Sequence, residues 1–449
     1  MNAITRTHRI LKSYSNGHSI AESPEGVLQI VFKSGLNYIS AISQLGPDFE
    51  KYSRKAWSTV NRQAGNHYIS EYQDLNDLLY LHLCLEILCD TYQSNSLITM
   101  LIPNNCSDNA FHPSSFVVAS THTGLLNARS FTGRDYTKSI IVEQDLILWG
   151  RSISKHIASI FMKKCPYTGS QIFDANSETP DQKSGTGHKY IIQEIVGILT
   201  NEKPEHFLGR IAFDTDESTP AKDYISLGFT SFILYHECAH LIHHHHKKLK
   251  RSEPAEHYDI EYILEAVIYQ ETNGKKDFNL DDFLKKARIQ AYEIDADLKA
   301  FNDIQRVSDH LAGGRIIHPG NPEPDNSAKS LLIFMGVYTL FWSIYLFEKS
   351  LGVLAYGEKF FESTAQSSPS AVQNLVYRKK HPDPLYRLSL LIQKDERLQV
   401  IDSTLAPLFN NIFKETMEQM LELNKKGKKP EKKWIRKNSE TDHHLNFFS

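Results

Sequence analysis

Apolar and polar positions change their rhythm along this chain. From residue 25 to about 200, short β-branched and aromatic runs alternate with helical periodicities. Val27–Phe32 and Ser115–Ser120 read as strands. Between Asp74 and Tyr92 leucines recur at three- and four-residue intervals, the spacing of one helix face, and Leu146–Met162 is a further helical candidate. The polar stretch Asp174–His188 contains Ser, Thr, Pro and Gly and reads as a loop. Helical spacing resumes over Tyr190–Leu199, and Phe207–Phe213 is a strand candidate. The expected class is α+β: an N-terminal mixed α/β domain over 1–189, then a mainly helical domain over 190–405. A helix end and a basic, flexible tail would occupy 406–449.

The second half is dominated by helices. Thr219-Pro220 has the chemistry of an N-cap and first helical residue. A helix from there would carry Phe229, Phe232, Ile233, Tyr235, Ala239 and Leu241 to a cationic end at Lys247-Lys248, as a helix C-terminus favours. Further helices are expected over Asp282–Ile304, over Leu331–Phe347 and after Pro384. The uncharged run Leu331–Phe347 is slightly shorter than the ~20 apolar residues of a membrane span, and is expected to be a buried core helix. A spanning helix is the alternative.

Composition narrows the function classes. Among 449 residues the formal net charge is −3, so no global imbalance points to nucleic acid, and none is expected as a partner. Five cysteines without a CxxC pair argue against a disulfide framework and favour a reducing, cytoplasmic setting. The N-terminus lacks the apolar run of a secretory signal. Histidine, with 21 copies, directs attention to metal chemistry.

His236-Glu237-Cys238-Ala239-His240 is an HExxH motif. On a helix, residues four apart share a face, so both imidazoles can reach one zinc ion. Glu237, one residue after the first ligand, can reach water beside the metal and act as general base. A catalytic site needs a third protein ligand. Glu293, in Glu293-Ile294-Asp295-Ala296-Asp297, is the leading candidate. Asp297, four residues on and facing the same way, can accept a hydrogen bond from a ligand histidine and fix its tautomer. His246 is the rival, at the spacing of the metzincins. That geometry calls for a glycine three residues after the second histidine, where this chain has His243. The run His243–His246 is expected to form the exposed end of the helix, and Cys238 to serve packing.

HExxH followed by ExxAD resembles the gluzincins, and most nearly the HtpX and CAAX prenyl endopeptidases. His381-Pro382-Asp383-Pro384-Leu385-Tyr386-Arg387 is similar to their HPxxxxR element, and the resemblance covers about residues 220–400. It implies a zincin-like catalytic domain with one zinc ion, hydrolysing a protein or peptide substrate. His381 would then be a candidate oxyanion donor, and Arg387 would pair with a carboxylate or with substrate. A weaker likeness to the Lit-type phage-exclusion peptidases implies a bacterial defence effector. The rivals are a membrane-associated housekeeping protease and a noncatalytic interaction protein with a closed structural zinc.

Overall fold

The computed structural model describes residues 116–121, 126–132, 138–161, 187–200, 219–245, 280–312, 326–358, 360, 382–431, 435–437 and 443–445. Among them the fold is mainly helical, with two small sheets. The strand expected at Val27–Phe32, the helix at 74–92 and the strand at 207–213 lie outside the described residues, as do His246 and His381.

The first sheet has the order β1 (Phe116–Thr121), β3 (Lys138–Glu143), β2 (Ala128–Thr132). β1 runs parallel to β3 and β2 antiparallel to it. Ile140 and Val142 alternate on β3 and are both buried, as period-2 side-chain placement requires. The strand passes directly into α1 (Gln144–Phe161), whose Ile147, Trp149, Ile153 and Ile157 are buried. α2 (Gly187–Thr200) presents Ile191, Ile195 and Leu199 at helical spacing to the same core.

Three long helices build the centre: α3 (Thr219–Ile242), α4 (Leu280–Ala312) and α5 (Asn326–Tyr356). α5 contains the Leu331–Phe347 run and is apolar on every side, so it requires cover all round. α3, α4, α6 (Pro384–Ile392) and α7 (Glu396–Lys425) pack against it. It is long and apolar enough to cross a bilayer, and 83% of its most apolar window is buried within the fold. On one flank Phe301 of α4 meets Phe334 edge-on, and on another Trp342 stacks on Phe409 of α7. At the α3–α5 crossing the backbones themselves touch. A Cβ on Gly228 would collide with the Ile333 carbonyl, and one on Gly336 with the Ile225 carbonyl and the Phe229 amide. Only the absence of a side chain permits that approach.

Three features bear on the organisation expected from the sequence. The described residues on the two sides of the expected 189/190 boundary share apolar neighbours. Ile140, Val142 and Trp149 belong to one apolar cluster with Phe229, Phe341 and Phe409, because α1 and the sheet pack directly on α3. A helix follows Pro384, as expected, and a second helix follows it. Asp383 caps α6 through the Leu385 amide, Asp395 caps α7 through the Arg397 amide, and α7 runs through the boundary placed at 405/406. The tail has order of its own: Glu431 donates its amide to the Leu199 carbonyl, and β4 (Ile435–Lys437) pairs antiparallel with β5 (His443–Leu445).

The glycine crossing gives a direct test. Gly336→Ala is expected to lower unfolding free energy by about 1–3 kcal/mol, the usual cost of overpacking. Urea unfolding would read this as a lower midpoint with an unchanged slope.

Candidate metal centre

α3 begins at Thr219-Pro220, as the cap chemistry predicts, and its last turns carry the HExxH motif. Cys238, Ala239 and Leu241 are fully buried and root these turns in the core. α4 crosses this segment and brings three acidic residues to it. Ala291, Ile294, Ala296, Ala300 and Phe301 form its buried apolar frame. Within that frame Glu293 and Asp297 point one way, and Asp295 reaches another part of α3's end.

The structure brings together His236, His240 and Glu293. The two Nε2 atoms face each other at 3.0 Å. Glu293 Oε2 lies 3.3 Å from His236 Nε2, and Oε1 lies 3.5 Å from His240 Nε2. Ligands about 2.0–2.1 Å from a tetrahedral ion sit about 3.3 Å apart. These separations therefore fit one small cation. Glu237 is 8% exposed and adjoins the first of the three in sequence.

The His236 arm is braced from behind. Its Nδ1 lies 2.9 Å from Asp297 Oδ1. Asp297 also accepts from Arg387, Nε to Oδ2 at 2.6 Å and Nη2 to Oδ1 at 2.7 Å, a bidentate pair. Arg387 lies over the Phe341 ring and is buried. Of the two partners expected for Arg387, a carboxylate or substrate, the guanidinium holds a carboxylate, Asp297. Burial works against ionisation of Asp297, but the charge and hydrogen bonds of Arg387, with those of His236, hold its pKa below the usual range. Burial likewise opposes a charged His236, yet Asp297 and Glu293 outweigh it and raise that ring to about 10.

The end of α3 is not the exposed one expected. The helix stops at Ile242, His244 adopts a positive φ of 56°, and the flanking histidines turn inward. His243 and His245 are 7% and 3% exposed. Both rings bond Asp295 Oδ2, His243 Nδ1 at 2.7 Å and His245 Nε2 at 2.8 Å, and His245 Nδ1 lies 2.8 Å from His240 Nδ1. Burial opposes the Asp295 charge, but those two hydrogen bonds hold its pKa far below the usual range. Sequence reasoning missed this cluster. Its one signal is an aspartate set among the buried positions of α4, where a carboxylate demands partners.

Compared with known protein families, curated proteins and solved structures, the chain matches none.

Three outcomes follow from these electrostatics. Arg387→Met leaves the buried Asp297 carboxylate without its cation and is expected to cost about 3–5 kcal/mol in urea unfolding. A ring whose folded pKa is raised from 6.5 to about 10 contributes stability that is full below 6.5 and is lost as pH rises towards 10. Thermal midpoints of the metal-free protein should therefore fall across that window. Affinity for a divalent metal should rise about tenfold per pH unit within it, since binding expels one proton. Competition titrations against a chromophoric chelator would measure the slope.

Proposed function

We propose that this chain is a zinc-dependent metallopeptidase of the gluzincin kind, with His236, His240 and Glu293 as metal ligands. One observation carries the reading: two Nε2 atoms and a carboxylate from distant parts of the chain converge at 3.0–3.5 Å. Two imidazoles and a carboxylate are a donor set suited to zinc. Among the described residues three side chains form this group, the ligand count of a catalytic site rather than of a closed structural one.

A zinc ion held there supplies Lewis acidity, acidifying water and polarising a substrate carbonyl. The chain's own residues do the rest. Glu237 takes the proton from the attacking water and returns it to the leaving amine. His236 is kept with Nδ1–H on Asp297, so that its Nε2 lone pair faces the cation, and Arg387 keeps Asp297 ionised. The substrate class is a protein or peptide. A role in defence against phage rests on the Lit-type resemblance alone.

Glu237→Gln is expected to retain about one zinc per chain while peptide cleavage falls by about 10²–10⁴, the usual contribution of a general base. Glu293→Ala should purify without stoichiometric zinc. Metal analysis by mass spectrometry, paired with cleavage of a mixed peptide library, measures both. Full cleavage by Glu237→Gln would refute the enzyme reading.

A further inference from the structure

The two ligand histidines are supported in unlike ways. His236 rests directly on a carboxylate, whereas His240 rests on another histidine. His240 Nδ1 lies 2.8 Å from His245 Nδ1, and His245 Nε2 lies 2.8 Å from Asp295 Oδ2. With both rings neutral, one order of hydrogens satisfies both contacts. Asp295 is an acceptor, so His245 donates from Nε2. That leaves a lone pair on His245 Nδ1, which accepts from His240 Nδ1–H. His240 must then carry its own lone pair on Nε2, the atom facing His236 and Glu293.

We infer that His245 and Asp295 are positioning residues, a two-step hydrogen-bond relay that fixes His240 as the Nδ1–H tautomer and aims its Nε2 at the metal. The inference rests on the metal reading above and assigns residues outside its ligand set. Local structure serves the relay. The positive-φ turn at His244 allows the residues on either side of it to face Asp295 while His244 points outward. Tyr292 stacks on the His245 ring, centroids 4.8 Å apart and planes 20° apart, and sets its orientation. His243 bonds the same Asp295 oxygen at 2.7 Å and so anchors the carboxylate. Both histidine arms thus end on carboxylates of one helix, Asp297 at first remove and Asp295 at second.

The group His243, His245 and Asp295 has the side chains of a metal site in its own right. The distances favour the relay. Contacts of 2.7 and 2.8 Å converging on a single oxygen are hydrogen-bond lengths. Ligands sharing a tetrahedral ion would stand about 3.3 Å apart.

The test uses the full chain with zinc or cobalt alone as probe. His245→Phe keeps a ring to stack on Tyr292 but neither accepts nor donates. It should weaken zinc about 10–100-fold, as loss of a ligand's hydrogen-bond partner does, and shift the visible bands of the cobalt form. Its thermal midpoint in chelator should fall, because Asp295 and His240 each lose a buried hydrogen bond, so circular dichroism checks that it is folded at the assay temperature. His245→Gln, which can accept and donate, should recover most of the affinity. Nitrogen chemical shifts of the metal-free wild type should report His240 as Nδ1–H and His245 as Nε2–H, a result independent of how any variant folds.

Unchanged zinc affinity and cobalt bands in His245→Phe, or the opposite tautomers, would overturn the relay and leave the metal reading standing. Two ions per wild-type chain, the second lost in Asp295→Asn, would make this group a metal site and overturn the relay as well. A wild-type chain that binds no zinc would overturn both.

Discussion

Asp297 is the pivot of this molecule. Its two oxygens accept from His236 on α3 and from Arg387 on α6, while its own backbone belongs to α4. Three helices far apart in sequence therefore meet on one buried carboxylate. Such a group cannot be left half-satisfied, because an unpaired buried charge costs several kcal/mol. Its partners are consequently fixed to within hydrogen-bond tolerance, and the His236 ring inherits that precision. The geometry of the candidate metal site is a by-product of satisfying one buried ion.

That demand can be met only if the scaffold does not drift. The glycine crossing of α3 and α5 supplies the rigidity, since two backbones in direct contact leave no compressible side chain between them. α5 holds α4 on one flank through Phe301–Phe334 and lies beneath Arg387 through Phe341. The partners of Asp297 therefore share a common foundation. The apolar run that by composition resembles a membrane span is the internal axis against which the polar centre is aligned.

Much of this was legible in the sequence, and the reasons differ from element to element. The motif helix, the ExxAD helix and the 331–347 run are long and strongly periodic, so local pattern sufficed to find them. Glu293 and Asp297 were legible because a four-residue interval fixes their common face on any helix. Arg387 was visible as a motif member, but its partner was not, because 90 residues separate it from Asp297 and no local rule spans that interval. The end of α3 was misplaced for a physical reason. Lys247-Lys248 favours a helix C-terminus, yet Asp295 on another helix offers two buried hydrogen bonds to rings that a continuing helix would direct elsewhere. Tertiary pairing outweighed propensity, and it did so at a residue whose positive φ runs against its own preference. Likewise the break between α6 and α7 depends on Asp395, which bonds Gln305 of α4 as well as its own helix start.

Charge accounting links the centre to folding. Glu237, Glu293, Asp295 and Asp297, when ionised, bring four negative charges, and Arg387 returns one positive, leaving three. Burying that excess is unfavourable unless a cation joins it. A proton on His236 offsets one unit and a divalent metal two, so the metal neutralises more of the excess than the proton it displaces. Asp297 and Glu293, which raise the His236 pKa, belong to this excess, and under the proposed metal reading the same charge couples folding to metal binding. Under the proposed metal reading, the carboxylates behind His236 and His240 have two functions that cannot be separated: they aim the imidazole lone pairs, and they create the negative potential that draws a cation between them.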